Sequence, residues 1–225
     1  MYFDYTYILV IIGIVISAAA SLNVQSTYRK FSGISNSKGL RAEECAAQIL
    51  RDAGIYDVKI ERIAGNLTDH YSPGEKVLRL SQSVYGSTSV AALGVAAHEC
   101  GHAIQHQVGY APLKLRSISV PAANIGSKLS WPIIIIGLIL GHMGLAQLGV
   151  ILFTFVVLFQ LITLPVEFDA SSRALKILNA NAILTGGELN GARKVLAAAA
   201  LTYVAALLTS ILQLLRLVLL VQRRN

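Results

Sequence analysis

The sequence predicts a mainly α-helical membrane protein, with about four transmembrane helices and a small α+β soluble region built around one histidine-bearing helix. Three observations carry this. Hydrophobic residues make up 54% of the 225 and charged ones only 14%, where soluble domains run nearer a quarter charged. Three long apolar stretches, residues 7–22, 129–166 and 195–221, are broken among charged residues only by Arg216. Between the first two, most of the charge collects in residues 23–116, together with two histidines four positions apart.

Residues 7–22 (YILVIIGIVISAAASL) form an uncharged run long enough, with its flanks, to span a bilayer as a helix. Ala18 to Ala20 resemble a signal-peptide cleavage site, but Asp4 and the lack of a preceding Lys or Arg favour a retained span. Arg29, Lys30, Lys38 and Arg41 follow, which by the positive-inside rule places the next segment in the cytoplasm. Residues 39–53 have apolar side chains at helical spacing and end at Gly54, predicting a surface helix. Residues 58–63 and 76–80 alternate apolar and charged side chains on either side of the turn signal Ser72-Pro73-Gly74, predicting two short strands. Either strand is a candidate edge for an extended peptide to pair with, or part of a plain structural hairpin.

Residues 87–107 are predicted to be one helix, alanine-rich at first and polar at its end. Residues 129–166 carry no formal charge, and a single helix over that run would be about 57 Å long against a hydrocarbon core near 30 Å. The run is therefore read as a helical hairpin, turning at Gly141-His142-Met143-Gly144, with a first arm that begins earlier if Lys128 snorkels. Residues 195–221 form the last span. Four spans place Arg223 and Arg224 outside, against the charge rule, unless the last helix lies partly in the interface. The expected organisation is an N-terminal transmembrane helix (1–22), a soluble region (23–116), a transmembrane hairpin (117–166), a loop or helix (167–194) and a C-terminal transmembrane helix (195–225).

The formal net charge of +7 comes without any basic run interleaved with aromatics, so it is assigned to loops beside the spans and no nucleic-acid partner is expected. Cys45 and Cys100 form no CxxC pair, and Cys100, two residues past His98, points away from the histidine face.

The chemistry lies in VAAHECGHAI, residues 95–104. His98 and His102 share a helix face, so their imidazoles can converge on one tetrahedral Zn²⁺ while Glu99 points at its open side, the HExxH arrangement of zinc peptidases. The competing reading is two exposed histidines with an incidental glutamate, and a third ligand decides between them. His106 continues the spacing but lies about 12 Å along the helix axis from His98, too far for one zinc. A metzincin site would need histidine at position 108, which is Val108. Glu167 directly follows the uncharged run. Two spans between it and His102 bring both to one side of the membrane, whereas an ordinary interfacial glutamate is the alternative.

Four stretches together resemble the YugP-like family of bacterial membrane neutral zinc metallopeptidases: HECGH, NLTDHYSPGEKVLRLS at 66–81, FQLITLPVEFDASSRA at 159–174 and LAAAALTYVAALL at 196–208. The resemblance implies a zincin-like soluble region with a gluzincin-type site, in which Glu167 occupies the third ligand position. It extends distantly to the membrane peptidases of the HtpX and CAAX-protease group, whose ligand glutamate sits in an ExxxD helix. Here Ser171 stands where that later acid would fall, so that carboxylate is not carried over, and Asp169 is the candidate substitute.

The expected activity is a membrane-anchored zinc metalloendopeptidase of a bacterial cell membrane, acting on a peptide or protein substrate at the cytoplasmic face. Zinc-activated water attacks the peptide bond, and Glu99 takes the water's proton and returns it to the leaving amine. By residue type, His70, Tyr71, Arg173 and Tyr203 are candidate donors to the oxyanion. The rival is a non-hydrolytic zinc-binding scaffold or sensor, although structural zinc favours four closed ligands and no fourth is evident. Proteolysis within the bilayer is disfavoured by Gln105, His106 and Gln107 at the end of the motif helix.

Overall fold

The structure is a computed structural model that describes residues 5–222, so Asp4, Arg223 and Arg224 lie outside the described residues. In order the elements are α1 (Tyr7–Ser32), α2 (Ala42–Asp52), β1 (Lys59–Ile63), β2 (His70–Ser72), β3 (Val77–Ser81), α3 (Val90–Gln107), α4 (Ala111–Ile139), α5 (Met143–Ala180) and α6 (Gly186–Gln222). The helices α1, α4, α5 and α6 are each long and apolar enough to cross a membrane. All four also run past the apolar stretches that predict them, α5 carrying on through Glu167 as a 38-residue helix. The chain divides into two compact units, and α5 contributes to both, changing from one to the other after Pro165.

One unit comprises Lys114–Pro165 with the described parts of Met1–Ser21 and Leu201–Asn225. Its helices approach through glycine. A Cβ on Gly126 would stand 2.5 Å from the Leu152 carbonyl oxygen, and one on Gly137 2.5 Å from the Ala146 nitrogen, so α4 and α5 touch where there is no side chain. Between α1 and α6, Thr209 Oγ1 donates to the Gly13 carbonyl at 3.0 Å and lies 2.9 Å from Ser17 Oγ. Small residues and short hydroxyls of this kind are how helices pack where the surroundings are as apolar as the side chains. Ile11, Ile14, Val15, Ile135, Ile151 and Leu161 are exposed, the surface a bilayer would cover. The hairpin turn falls at Leu140 to His142, with Gly141 at φ +67°, a conformation suited to glycine.

The second unit comprises Leu22–Leu113 and Val166–Ala200. The motif helix α3 is central to it. Ser89 caps it by accepting the Ala92 amide at 3.1 Å, a contact worth about 1 kcal/mol. Val90, Leu93, Ala96, Ala97 and Cys100 pack into one cluster with Ile49 of α2, Leu78 and Leu80 of β3, and Leu178 of α5. Fully burying Leu78, Leu80 and Leu93 contributes about 1.5–3 kcal/mol each. Alanine dominates α3 because its neighbours come close: Gly94 faces Ala192, and a Cβ on Gly101 would lie 2.6 Å from the Ala170 carbonyl oxygen of α5.

The sheet has three strands in the order β1-β3-β2. The strand His70–Ser72 was not among those expected, and it changes the topology. β3 pairs antiparallel with β2 and parallel with β1, with Lys59 opposite Val77 and Ile63 opposite Ser81. The two strands read from sequence are therefore parallel neighbours rather than a hairpin. Being central, β3 offers no free edge, which leaves β1 and β2 as the edges.

Candidate metal centre

Three side chains of the second unit converge. The helix α3 supplies His98 and His102 from one face, and their rings meet nearly edge-on, 4.7 Å between centroids at 84°. From α5 comes Glu167, whose Oε2 lies 3.2 Å from His98 Nε2 and 3.6 Å from His102 Nε2. The close approach at Gly101 and Ala170 lets α5 reach this near, since any side chain at 101 would collide with the α5 backbone.

One donor atom from each of the three residues falls within 4.8 Å of the other two. Ligand atoms around a tetrahedral zinc, with bonds near 2.1 Å, stand about 3.4 Å apart, so the group needs only a small contraction to hold one. Two imidazole nitrogens and a carboxylate oxygen also form a donor set that zinc accepts, with a position left for a further ligand. Glu167 and His102 are buried, and His98 is slightly less so. Burial opposes charge on His102, but the Glu167 and Glu99 carboxylates outweigh it and raise its pKa above the ordinary imidazole value. Glu99, one position from His98, is 7% exposed, and its carboxylate makes no hydrogen bond among the described residues.

The outer ring nitrogens are also held. His98 Nδ1 lies 3.1 Å from Ser171 Oγ, so the serine found where the wider pattern has an acid still reaches the first histidine. His102 Nδ1 lies 3.0 Å from Gln105 Oε1. Asp169 reaches the site through Gln105, whose Nε2 donates to Asp169 Oδ2 at 2.8 Å. Ser171 is legible as a partner from its spacing, four residues past Glu167. Gln105 carries only a weak signal, a polar residue three positions after His102.

Other candidates are placed elsewhere. His106 is exposed, with its Nδ1 2.9 Å from the Tyr71 hydroxyl. Arg173 is committed to Asp169 at 2.6 Å. His70 Nδ1 lies 2.9 Å from the Thr68 carbonyl, His142 Nδ1 accepts the Leu145 amide in the hairpin turn, and Tyr203 belongs to the other unit. Burial pushes the Cys45 thiol up to about 12 and Cys100 well above its usual value, so neither supplies a thiolate.

Over residues 6–222 the chain matches the family described as "Putative neutral zinc metallopeptidase". The chain belongs to this family. It is 48% identical over 199 residues, 88% of each chain, to the "Putative membrane protease YugP" of Bacillus subtilis (strain 168). No solved structure matches it. The family is one of zinc proteins, and His98, His102 and Glu167 are the group among the described residues that can hold such an ion. With four helices of spanning length and a relative named as a membrane protease, the chain is a membrane protein.

Proposed function

We propose that this member of the family is a membrane-anchored zinc metalloendopeptidase of gluzincin type, with its site at the cytoplasmic face. The observation that carries the reading is the meeting of His98, His102 and Glu167 within 4.8 Å, beside a buried Glu99 whose carboxylate is uncommitted. His98 and His102 through Nε2, and Glu167 through a carboxylate oxygen, hold Zn²⁺. When bound, the ion supplies Lewis acidity, acidifying a water and polarising a carbonyl.

The remaining steps belong to the protein. A Glu99 carboxylate oxygen accepts a proton from the attacking water and returns it to the departing amine, so one residue acts first as base and then as acid. Ser171 and Gln105 hold the two imidazoles by their Nδ1 atoms. The free edge of β2 is the proposed platform for an extended peptide. Tyr71 on that strand is hydrogen-bonded to His106, one turn beyond His102 on the motif helix. A cavity of about 210 Å³ bordered by Tyr71, His106, Asp57 and Lys76 offers room for a peptide side chain. The cytoplasmic assignment rests on Arg29, Lys30, Lys38 and Arg41 after the first span.

The test pairs wild type with Glu99→Gln, measuring bound zinc and cleavage of a peptide library. Zinc content is expected to be unchanged and turnover to fall by about 10²–10⁴. Equal cleavage by the two proteins would overturn the peptidase reading and return the scaffold or sensor to first place.

A further inference from the structure

The polar contacts around His102 continue beyond the three ligands into a directed chain. Gln105 is fully buried. Its Nε2 donates at 2.8 Å to two oxygens at once, the Val166 carbonyl and Asp169 Oδ2. A carbonyl and a carboxylate only accept, so both contacts require the amide nitrogen on that side, which fixes the sense of an amide otherwise able to flip. Its oxygen therefore faces His102 Nδ1 at 3.0 Å. Facing an oxygen that only accepts, Nδ1 carries a ring proton, which leaves Nε2, the nitrogen turned towards His98 and Glu167, as the one able to offer a lone pair to a cation. Asp169 is fixed in turn by Arg173 Nε at 2.6 Å, with the guanidinium 5.7 Å from the centre of the Tyr110 ring.

His98 is held differently. A serine hydroxyl both donates and accepts, so Ser171 fits either tautomer of that ring. Only the second histidine has its tautomer dictated by its surroundings.

We propose that Gln105 is a positioning residue of the metal centre, an amide relay oriented by Val166 and Asp169 that locks His102 with Nδ1 protonated and Nε2 presented to a divalent cation. This rests on His98, His102 and Glu167 being the zinc ligands. Losing a partner of this kind costs roughly 10–100-fold in metal affinity in known sites.

The test uses the full chain in detergent, with zinc affinity measured by competition against a chromophoric chelator and folding followed by circular dichroism. Wild type is expected to bind one zinc, and His98→Ala to lose it. If wild type binds none, or His98→Ala binds equally well, the ligand assignment itself fails. Given a zinc site, Gln105→Met is expected to raise the zinc dissociation constant by about 10–100-fold while helical content is retained. Asp169→Ala removes one of the two acceptors that orient the amide while leaving Gln105 and the Val166 carbonyl in place, so it should give a smaller loss in the same direction. A purely structural role would not follow this pattern.

Unchanged affinity in Gln105→Met, or a greater loss in Asp169→Ala than in Gln105→Met, would overturn the relay and leave the zinc site standing. Should Gln105→Met not fold, the wild-type ring nitrogens decide by ¹⁵N spectroscopy of the zinc-loaded protein. Metal on His102 Nε2 with a protected Nδ1 proton supports the relay, and metal on Nδ1 overturns it.

Discussion

In the unit that includes Lys114–Pro165, helices touch through Gly126 and Gly137, and what they bury there is backbone against backbone. In the unit of Leu22–Leu113 and Val166–Ala200 the approach of Gly101 to Ala170 has the same form, a glycine on one helix against the main chain of the next. The consequences differ because of what flanks the contact. Around Gly101 and Ala170 stand His98, His102, Gln105, Glu167, Asp169 and Ser171, so the approach sets the separation of the proposed ligands as well as of helices. Identical packing devices thus serve cohesion in one place and metal geometry in the other.

The sharpest way to break this comparison is a matched pair of substitutions. An added methyl at Gly101 meets Ala170 oxygen at 2.6 Å, and one at Gly137 meets Ala146 nitrogen at 2.5 Å. Neither obstacle is a flexible side chain, so Gly101→Ala and Gly137→Ala should each cost about 1–3 kcal/mol of stability, read by thermal unfolding in detergent. Zinc affinity should separate them. Gly101→Ala moves α3 from the segment bearing Glu167 and is expected to weaken zinc by at least tenfold, whereas Gly137→Ala should bind zinc as wild type does. Equal loss in both would show that the glycine at 101 has no special relation to the site.

The same contrast explains what could be read without a structure. Apolar runs report the medium a helix sits in, so α1, α4, α5 and α6 were legible as helices of spanning length, and the meeting of His98 and His102 on one helix face was legible because helical periodicity is local. Glu167 needed more than a local pattern: the hairpin reading set it on the same side as His102, and the family resemblance implied the third ligand position for it. The helix ends were not legible from hydropathy. α1 runs on through NVQSTYRKFS to Ser32, just before Gly33, and α5 continues past Glu167 because nothing in DASSRALKILNA breaks a helix. β2 was missed because three residues are too few for alternation to register, and with it went the parallel pairing of β1 and β3. Gln105 was visible only as a polar residue. Its role depends on Asp169, 64 positions away, and no local pattern encodes that meeting.

Within the metal-binding unit, the two histidine partners can be set against each other. Ser171→Ala removes the hydroxyl 3.1 Å from His98 Nδ1 but leaves a ring that water can still satisfy, because His98 is the less buried of the pair. The expected loss in zinc affinity is about tenfold, the lower end of the range for such partners, and smaller than that of Gln105→Met. Chelator competition on both variants checks the order. A greater loss in Ser171→Ala would mean that the first histidine, not the second, is the one whose orientation limits binding.

The smallest effect is expected where polar groups hold only helices. Thr209→Val keeps the shape of the side chain and removes the bond from Oγ1 to the Gly13 carbonyl at 3.0 Å, together with the contact to Ser17 Oγ at 2.9 Å. The Gly13 carbonyl keeps its own helical partner, and Ser17 can turn its hydroxyl back on its helix, so no group is left wholly unpaired. Side-chain hydrogen bonds between membrane helices average about 0.6 kcal/mol, and a change of that size in detergent unfolding, with zinc affinity unaltered, is the outcome expected. A loss above about 2 kcal/mol would exceed the largest such values. It would mean that this hydroxyl cluster, like the one beside the histidines, fixes a geometry on which more than the helix pair depends.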